Sequence, residues 1–414
     1  MSPVSRTKKF LFSLAVLVTF FILLESALRL IGFEHRSAEV PILIWNPVED
    51  ERMKQGRGLH RVDVWSLWAP RPGAKVDWGD NELINEAGWR GPLLARQRRP
   101  GVLRIATLGD SSTFGMGVAY ADSYPAQLER ILNERGTRAE VQNAGVVGFT
   151  ARQGLERYKS LVRQYQPDVV VAAFGAVNEH FPCSSLADAL KIQHSQRALV
   201  WWRRQSDRLR RELRVLQFAN WLAFEARGGQ DAADRRLDEW ARRDNELRRT
   251  IGQEDWPGQR RVPLDDFDRA LTELRDAVES DGARLILVCM PRAPLAEREL
   301  PVLRQYSQRL IAVARREQLP LLNARGLFLR EFRAGRSPQE LFYDRWHPSR
   351  AGHELIASML ASIILDVRRG SIPLRERTHA EPSRSQKTDP RALRMPRHRA
   401  NCEALVSKSS VRST

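Results

Sequence analysis

From about residue 102 onward, short and almost wholly apolar runs alternate with amphipathic segments. The apolar runs have the length of strands and little polar alternation, which is typical of strands buried on both faces. The intervening segments repeat apolar residues at helical spacing, and Asp122 or Ser123 followed by Pro125 is a typical helix start. The predicted strands are 102–108, 139–142, 169–174, 284–290 and 319–322, and the predicted helices are 123–136, 151–165, 263–281, 301–317 and 350–366. This alternation predicts an α/β domain with a parallel sheet, because strands joined through helices make right-handed crossovers.

The N-terminal segment has a different pattern. Residues 10–24 contain no charged side chain, and the apolar character continues to Phe33 across Glu25 and Arg29, whose spacing lets them pair on a helix. A membrane anchor is favoured over a soluble core helix, and over a cleaved signal peptide because no small-x-small cleavage site follows. The basic residues before the run place the N-terminus in the cytoplasm and the remaining chain on the periplasmic or extracellular side. These residues are Arg6, Lys8 and Lys9.

The chain divides into an anchor with its cytoplasmic flank (1–33), an irregular lead-in (34–100), an α/β domain (101–370) and a basic tail (371–414) predicted to be disordered. Residues 185–262 interrupt the domain with two amphipathic helical patterns separated by two glycines, which indicates a helical hairpin. Packing of this insert on itself and on the sheet is favoured over a lid or a membrane-surface element. The lead-in tryptophans could stack on sugar rings, although core packing is favoured; they are Trp45, Trp65, Trp68, Trp78 and Trp89.

Charge and composition narrow the possible functions. Of 414 residues, 67 are Lys or Arg and 50 are Asp or Glu, a formal charge of +17. Most of this excess lies in the anchor, the insert and the tail, and no nucleic-acid-binding motif accompanies it, so nucleic-acid binding is excluded. Three cysteines without C-x-x-C spacing and eight unclustered histidines indicate neither a disulfide framework nor a metal site, and no organic cofactor is expected.

Two segments carry residues suited to nucleophilic catalysis. The first strand runs into Gly109, Asp110 and Ser111, and a serine at the carboxyl end of a parallel strand stands where such sheets build active sites. Asp344 and His347, three residues apart before the last helix, could hydrogen-bond and fix the imidazole tautomer. Taken singly, each segment has a plain structural alternative, such as a tight turn or a capping side chain.

Two further segments, 143–150 and 175–179, follow the second and third predicted strands. With them the sequence resembles the SGNH (GDSL-type) hydrolases, whose four blocks supply serine, glycine, asparagine and histidine in that order. The resemblance implies a three-layer α/β/α sandwich of the flavodoxin-like SGNH type with a five-stranded parallel sheet, preceded here by a transmembrane helix. A lead-in segment is also similar to one in envelope-anchored members and is interpreted as a structural turn; it contains Asn85, Gly88, Arg90 and Gly91.

The resemblance assigns a role to each matching residue. Ser111 would be the nucleophile, His347 its general base and Asp344 the group that orients the imidazole. The oxyanion hole would consist of the backbone N–H groups of Ser111 and Gly148 with the side-chain amide of Asn178. The family usually has one residue between the glycine and the asparagine of its third block, whereas two separate Gly175 from Asn178 here. Either Ala176 fills the glycine position or this loop is one residue longer.

The implied function is a serine ester hydrolase that acts outside the cytoplasm through an acyl-enzyme. Its substrate would be an acylated carbohydrate or another envelope ester, and its contact with the membrane would be the N-terminal helix. An O-acyltransferase acting on an exported polysaccharide would use the same triad and remains an alternative. A lipid or thioester hydrolase is a third possibility, and an envelope scaffold without activity, its site decayed at Asn178, is a fourth.

Overall fold

A computed structural model of the chain describes residues 5–35, 58–181, 187–197, 209–235 and 250–369, with short gaps at 77, 79–81, 210–211, 227, 230, 233–234 and 251. The strands are β1 (His60–Asp63), β2 (Leu67–Pro70), β3 (Leu103–Gly109), β4 (Ala139–Asn143), β5 (Val169–Ala173), β6 (Arg284–Val288) and β7 (Leu321–Leu322). The helices are α1 (Arg6–Leu30), α2 (Ser111–Phe114), α3 (Tyr124–Glu134), α4 (Ala151–Ser160), α5 (Asp188–Arg197), α6 (Arg214–Ala226), α7 (Leu264–Ser280), α8 (Pro294–Glu299), α9 (Val302–Arg316), α10 (Ala324–Arg333), α11 (Pro338–Leu341) and α12 (Arg350–Arg368).

A five-stranded sheet in the order β4–β3–β5–β6–β7 forms the centre of the domain, and all its pairings are parallel. The predicted α/β architecture is therefore confirmed. In the register, Ile105 of β3 lies opposite Val141 on one side and Val169 on the other. Strand order reverses at β3, so the crevice beyond its carboxyl end is the position where open α/β sheets bind ligands.

Helices cover both faces of this sheet, which explains why its inner strands are mostly apolar. Leu108, Val170 and Leu285 face a core layer built with α4, α7 and α9. Ile105, Val171 and Ile286 face a second layer built with α3, α10 and α12. Because successive strand residues point to opposite faces, a strand between two helix layers is apolar at most positions on both faces.

Several predicted boundaries shift in the structure. The predicted helix 151–165 divides into α4 and the 3-10 turn Val162–Tyr165, and only Leu321–Leu322 of the predicted strand 319–322 pairs with the sheet. The expected start of α3 is confirmed, with Ser123 as its N-cap and a proline in its first turn. Three helices that the pattern did not predict, α8, α10 and α11, follow β6 and β7.

The lead-in packs onto the domain. Strands β1 and β2 form an antiparallel hairpin, and Trp68 and Trp89 are fully buried in the first core layer. Core packing is thus confirmed for these two tryptophans. Trp78 contacts the Phe114 ring edge to face, Trp65 is 38% exposed, and Trp45 lies outside the described residues.

The N-terminal segment is helical as predicted. Within α1, residues Thr7–Leu30 are long and apolar enough to cross a membrane, and most of their side chains are exposed. The insert contributes α5 and α6, followed by Gly228 and Gly229 with positive φ angles of 93° and 55° where the break between helices was expected. Most of the predicted second helix of that hairpin, and all of the predicted tail 371–414, lie outside the described residues.

Candidate active site

The turn that carries Ser111 is shaped by the residues on either side of it. Asp110 is the N-cap of α2, and its carboxylate accepts the Ser112 N–H at 2.9 Å. A Cβ at Gly109 would lie 2.0 Å from the Thr113 hydroxyl oxygen and 2.8 Å from the Ala173 carbonyl oxygen, so only glycine fits between β3 and β5. As a result Ser111 is the first residue of α2, half-buried at the carboxyl end of the central strand.

Ser111, His347 and Asp344 form a continuous chain of hydrogen bonds. His347 Nε2 lies 2.8 Å from Ser111 Oγ, and His347 Nδ1 lies 2.8 Å from Asp344 Oδ2. Burial raises the pKa of Asp344. The hydrogen bond to the His347 ring, the charge of that ring and the backbone N–H groups of Trp346 and His347 together lower it more, so the pKa of Asp344 lies below its usual value. An ionised Asp344 accepts a hydrogen bond from Nδ1–H, which leaves Nε2 free to accept the serine proton.

The loop that carries the histidine is fixed at both ends. The His347 carbonyl accepts the Tyr343 N–H at 2.9 Å, and the Arg345 carbonyl accepts the Ala293 N–H at 3.1 Å. Immediately after the loop, the Ser349 side chain caps α12 by accepting the Gly352 N–H. His347 is only 7% exposed, so its ring has little freedom to leave Ser111.

Gly148 lies in the loop after β4 and has φ near +80°, a conformation that favours glycine. Its carbonyl oxygen accepts a hydrogen bond from the buried guanidinium of Arg261 at 3.0 Å. The Ser111 N–H opens α2, and the first N–H groups of a helix have no partner within it. Ser111, at the start of a helix, and Gly148, in a loop, therefore both lie at the carboxyl edge of the sheet, where the resemblance places the two backbone donors of the oxyanion hole.

Asn178 is buried, and its amide lies between the other two blocks. Nδ2 donates to the Phe149 carbonyl at 3.1 Å and to Asp110 Oδ2 at 3.2 Å. Phe149 follows Gly148 and Asp110 precedes Ser111, so the structure brings Asn178 next to both predicted backbone donors. Both amide protons already have acceptors within the protein.

The altered spacing of the third block has a local explanation. Gly175 has φ near +79°, and a Cβ there would lie 2.8 Å from the Phe267 ring. Ala176 is fully buried and is not among the residues with positive φ. The left-handed position is thus Gly175, and the geometry favours a longer loop over a glycine position filled by Ala176.

A second buried carboxylate, Glu179, lies beside Asp110. Its Oε1 accepts the Ala151 N–H at 3.1 Å, at the first residue of α4. Burial, and then the charge of Asp110, raise the pKa of Glu179 to about 7. Burial likewise raises the pKa of Asp110, against the opposing hydrogen bond from Ser112. In the sequence Glu179 is only the last residue of the segment 175–179, and nothing in that segment indicates its burial beside Asp110.

Arg90 connects the lead-in to the nucleophile turn. Its buried guanidinium donates to the carbonyl oxygens of Phe114 at 2.9 Å, Gly115 at 2.5 Å and Val118 at 2.7 Å. Glu82 Oε2 accepts a further hydrogen bond from Arg90 Nε at 2.9 Å. Arg90 therefore binds the carbonyl end of α2, whose other end carries Ser111. The sequence signal was the segment interpreted as a structural turn.

Comparison with protein families identifies the family of this chain. The model of the GDSL-like lipase/acylhydrolase family matches residues 107–355, more than half of the chain. The chain therefore belongs to this family. The predicted membership of the SGNH (GDSL-type) hydrolases is confirmed, and so is the predicted class of ester-hydrolysing enzyme.

Individual relatives are more distant. An arylesterase from Vibrio mimicus is 34% identical over 73 residues, which is 18% of this chain and 36% of the arylesterase, so the match spans about a third of that protein. An alpha/beta hydrolase enzyme from the metagenome of Lake Arreo, Spain, is 20% identical, with a TM-score of 0.40 over 63% of this chain and 94% of its own. An acetylxylan esterase from Geobacillus stearothermophilus is 17% identical, with a TM-score of 0.38 over the same shares.

Proposed function

We propose that this protein is a serine ester hydrolase that acts outside the cytoplasm and deacylates a carbohydrate or another envelope ester. The observation that carries the proposal is the chain of 2.8 Å contacts from Asp344 through His347 to Ser111. A serine hydroxyl is a weak nucleophile, and a base oriented by a third group is the arrangement that activates it.

In this mechanism Ser111 Oγ attacks the ester carbonyl carbon while His347 Nε2 takes its proton. The tetrahedral intermediate collapses as the imidazolium gives that proton to the leaving alcohol, and an acyl-serine remains. Water, deprotonated by the same Nε2, then attacks the acyl carbon, the bond to Ser111 Oγ breaks as the imidazolium returns the proton to that oxygen, and the carboxylic acid leaves. Asp344 stays ionised throughout and stabilises the imidazolium that forms twice in each cycle.

The negative charge of each tetrahedral intermediate would be held by the N–H groups of Ser111 and Gly148 and by the Asn178 amide. Because both Asn178 protons have acceptors in the free enzyme, one of them would turn from Asp110 or Phe149 toward the oxyanion. Removing a single donor of this kind typically lowers turnover by about 10²–10³. Asn178 is therefore the donor whose contribution has to be measured.

The proposed location rests on α1. Its exposed, apolar residues Thr7–Leu30 fit a membrane anchor, and the lysines that precede Phe10 favour the cytoplasmic side for the N-terminus. The hydrolase domain would then lie on the periplasmic or extracellular side, where acylated glycans of the envelope are found.

The exposed Tyr343 and the partly exposed Trp346 on the histidine loop support a ring-shaped substrate. Tyr343 is 62% exposed and covers Gly117, where a Cβ would come within 2.4 Å of its ring. Arg345 lies over the partly exposed Trp346 ring at 5.8 Å. Aromatic faces combined with polar groups suit sugar recognition, and these side chains lie within four residues of His347.

Labelling with a fluorophosphonate tests the enzyme proposal directly. Wild type should be modified at Ser111, and Ser111→Ala should not be modified, whereas Ser280→Ala, an exposed serine at the end of α7, should behave as wild type. The absence of labelling at Ser111 in folded protein would favour the scaffold alternative. Acetate release from acetylated glycans, measured with and without an acceptor glycan, would then separate hydrolysis from acyl transfer.

A further inference from the structure

The insert helix α6 is joined to the carboxyl end of α1 by polar contacts. Glu25 Oε2 accepts the Val215 N–H in the first turn of α6 at 2.9 Å. Arg29 Nε donates to Glu25 at 2.7 Å, and Arg29 Nη2 donates to the Glu212 carbonyl at 2.7 Å. The only carboxylate of α1 is therefore balanced by the positive end of α6 and by Arg29.

Aromatic contacts continue this interface beyond the end of α1. The Phe33 ring packs against Phe218 at 5.6 Å and against Trp221 at 6.0 Å. The His35 N–H donates to Gln217 at 3.1 Å, and its ring lies 6.0 Å from Phe224. One face of α6 is thus in contact with the segment that leaves α1, with Gln217 buried and Phe218, Trp221 and Phe224 partly buried.

The position of α6 relative to a bilayer follows from helix geometry. A hydrocarbon core of about 30 Å is spanned by about 20 helical residues. Counted from Phe10, the first residue after the paired lysines, that length ends near Arg29. Of the two residues that bind the first turn of α6, Arg29 therefore lies at the outer boundary of the hydrocarbon and Glu25 lies one helical turn inside it, so α6 begins near the level of the headgroups.

The opposite face of α6 is apolar and exposed in the described part of the chain. At 100° per residue, its members lie within an arc of about 120°. Leu216 is 36% exposed and Leu222 is 48% exposed. Val215 is partly exposed on the same arc, and the remaining members are the exposed alanines Ala219, Ala223 and Ala226. This arc, hereafter the outer face of α6, contains no polar side chain.

We propose that the outer face of α6 lies in the interfacial region of the outer leaflet, so that lipid covers it. An apolar face at headgroup depth, continuous with a membrane-spanning helix, is the arrangement in which an amphipathic helix partitions into the interface. The domain is then held against the membrane at two points, α1 and α6, instead of being tethered by one flexible linker. The inference rests on the proposed role of α1 as a membrane anchor.

Site-specific fluorescence in the full-length protein tests this placement. Single cysteines at Ala219 and Leu222, on the outer face, are labelled with an environment-sensitive dye after Cys183→Ser and Cys402→Ser, while buried Cys289 stays in place. The protein is reconstituted in vesicles of phosphatidylcholine and phosphatidylglycerol containing nitroxide-labelled lipid. Leu17→Cys, exposed within α1, is the control for the anchor, and Glu134→Cys, at the exposed end of α3, is the aqueous control.

We expect nitroxide lipid to quench the dyes at 219 and 222 at least about twofold more than the dye at 134, as it should for an interfacial helix. Quenching of both outer-face dyes by aqueous iodide to the level of position 134 would overturn the inference. Shielding from both quenchers would overturn it too, because protein would then cover the face. If nitroxide lipid does not quench the dye at 17 either, the proposal that α1 is a membrane anchor is wrong. If it quenches the dye at 17 but not those at 219 and 222, α1 is an anchor and only the proposed role of α6 is wrong.

Discussion

Replacing Glu179 by glutamine should change how the stability of the protein depends on pH. The Glu179 carboxyl group is 1% exposed, near Asp110, and its pKa is raised to about 7 by burial and then by that neighbouring charge. Arg292 and Tyr306 also interact with it electrostatically. The amide of the Glu179→Gln variant would keep an oxygen to accept the Ala151 N–H and would resemble the neutral acid that the folded state favours.

The sign and size of the effect follow from proton linkage. A pKa raised from 4.5 to about 7 means that the folded protein binds this proton more tightly than the unfolded chain does. The stabilisation is therefore complete below pH 4.5 and is lost as the pH rises through about 7. The raised pKa corresponds to about 3 kcal/mol of unfolding free energy, shared with Asp110 because the two carboxyl groups titrate together.

Urea unfolding of the detergent-solubilised full chain, followed by far-ultraviolet circular dichroism between pH 5 and pH 9, measures this effect. Wild type should lose about 2–3 kcal/mol across the range through this pair, whereas Glu179→Gln should lose much less and become the more stable form above pH 8. Glu134→Gln, at an exposed position on α3, is the matched control and should follow wild type. Parallel curves for wild type and Glu179→Gln would refute the argument, since the titrating group would then lie elsewhere.

Four further outcomes are expected. Ser111→Ala should abolish ester hydrolysis with an unchanged melting temperature, and near-wild-type activity in the purified variant would remove its nucleophilic role. Asn178→Ala should lower kcat by about 10²–10³ with little change in KM; turnover within about twofold of wild type would exclude it from the oxyanion hole. Arg90→Lys keeps the charge but cannot reach three carbonyl oxygens, so the free energy of unfolding should fall by about 2 kcal/mol or more, and an unchanged value would show that α2 does not depend on it. The full chain should resist carbonate extraction, and a mature N-terminus between residues 26 and 40 would instead show cleavage of α1.

The sheet was predictable because its physical requirement is local. A strand between two helix layers is mostly apolar on both faces, and Val169–Ala173 shows this directly in the sequence. The edge strand was overestimated since Pro320 has no N–H to donate, and pairing is restricted to Leu321–Leu322. Helix α10 was missed because Gly326 interrupts its first turn, although the Asn323 side chain caps that turn by accepting the Gly326 N–H.

Contacts that depend on tertiary structure could not be read from spacing. Arg90 donates to the carbonyl oxygens of Phe114, Gly115 and Val118, which lie 24 to 28 residues further along the chain. No helix or strand contains both partners, so the periodicity of the sequence cannot predict the contact. What the sequence offered was an arginine between glycines, which is equally compatible with an exposed turn. Its burial follows only once β1, β2 and the following turns pack over the nucleophile turn.

Asn178 shows why the count of residues in a block is a poor guide to the position of its side chain. The additional residue after Gly175 is absorbed before the 3-10 turn that begins at Asn178, and the amide still reaches Phe149 and Asp110. Those two acceptors lie next to Gly148 and Ser111, so the position of the amide is set by the neighbouring loops and not by its own. A shortened loop would have to pull Asn178 away from two buried acceptors, each of which costs about 1–3 kcal/mol when left without a donor. The longer loop is therefore compatible with an oxyanion donor at Asn178.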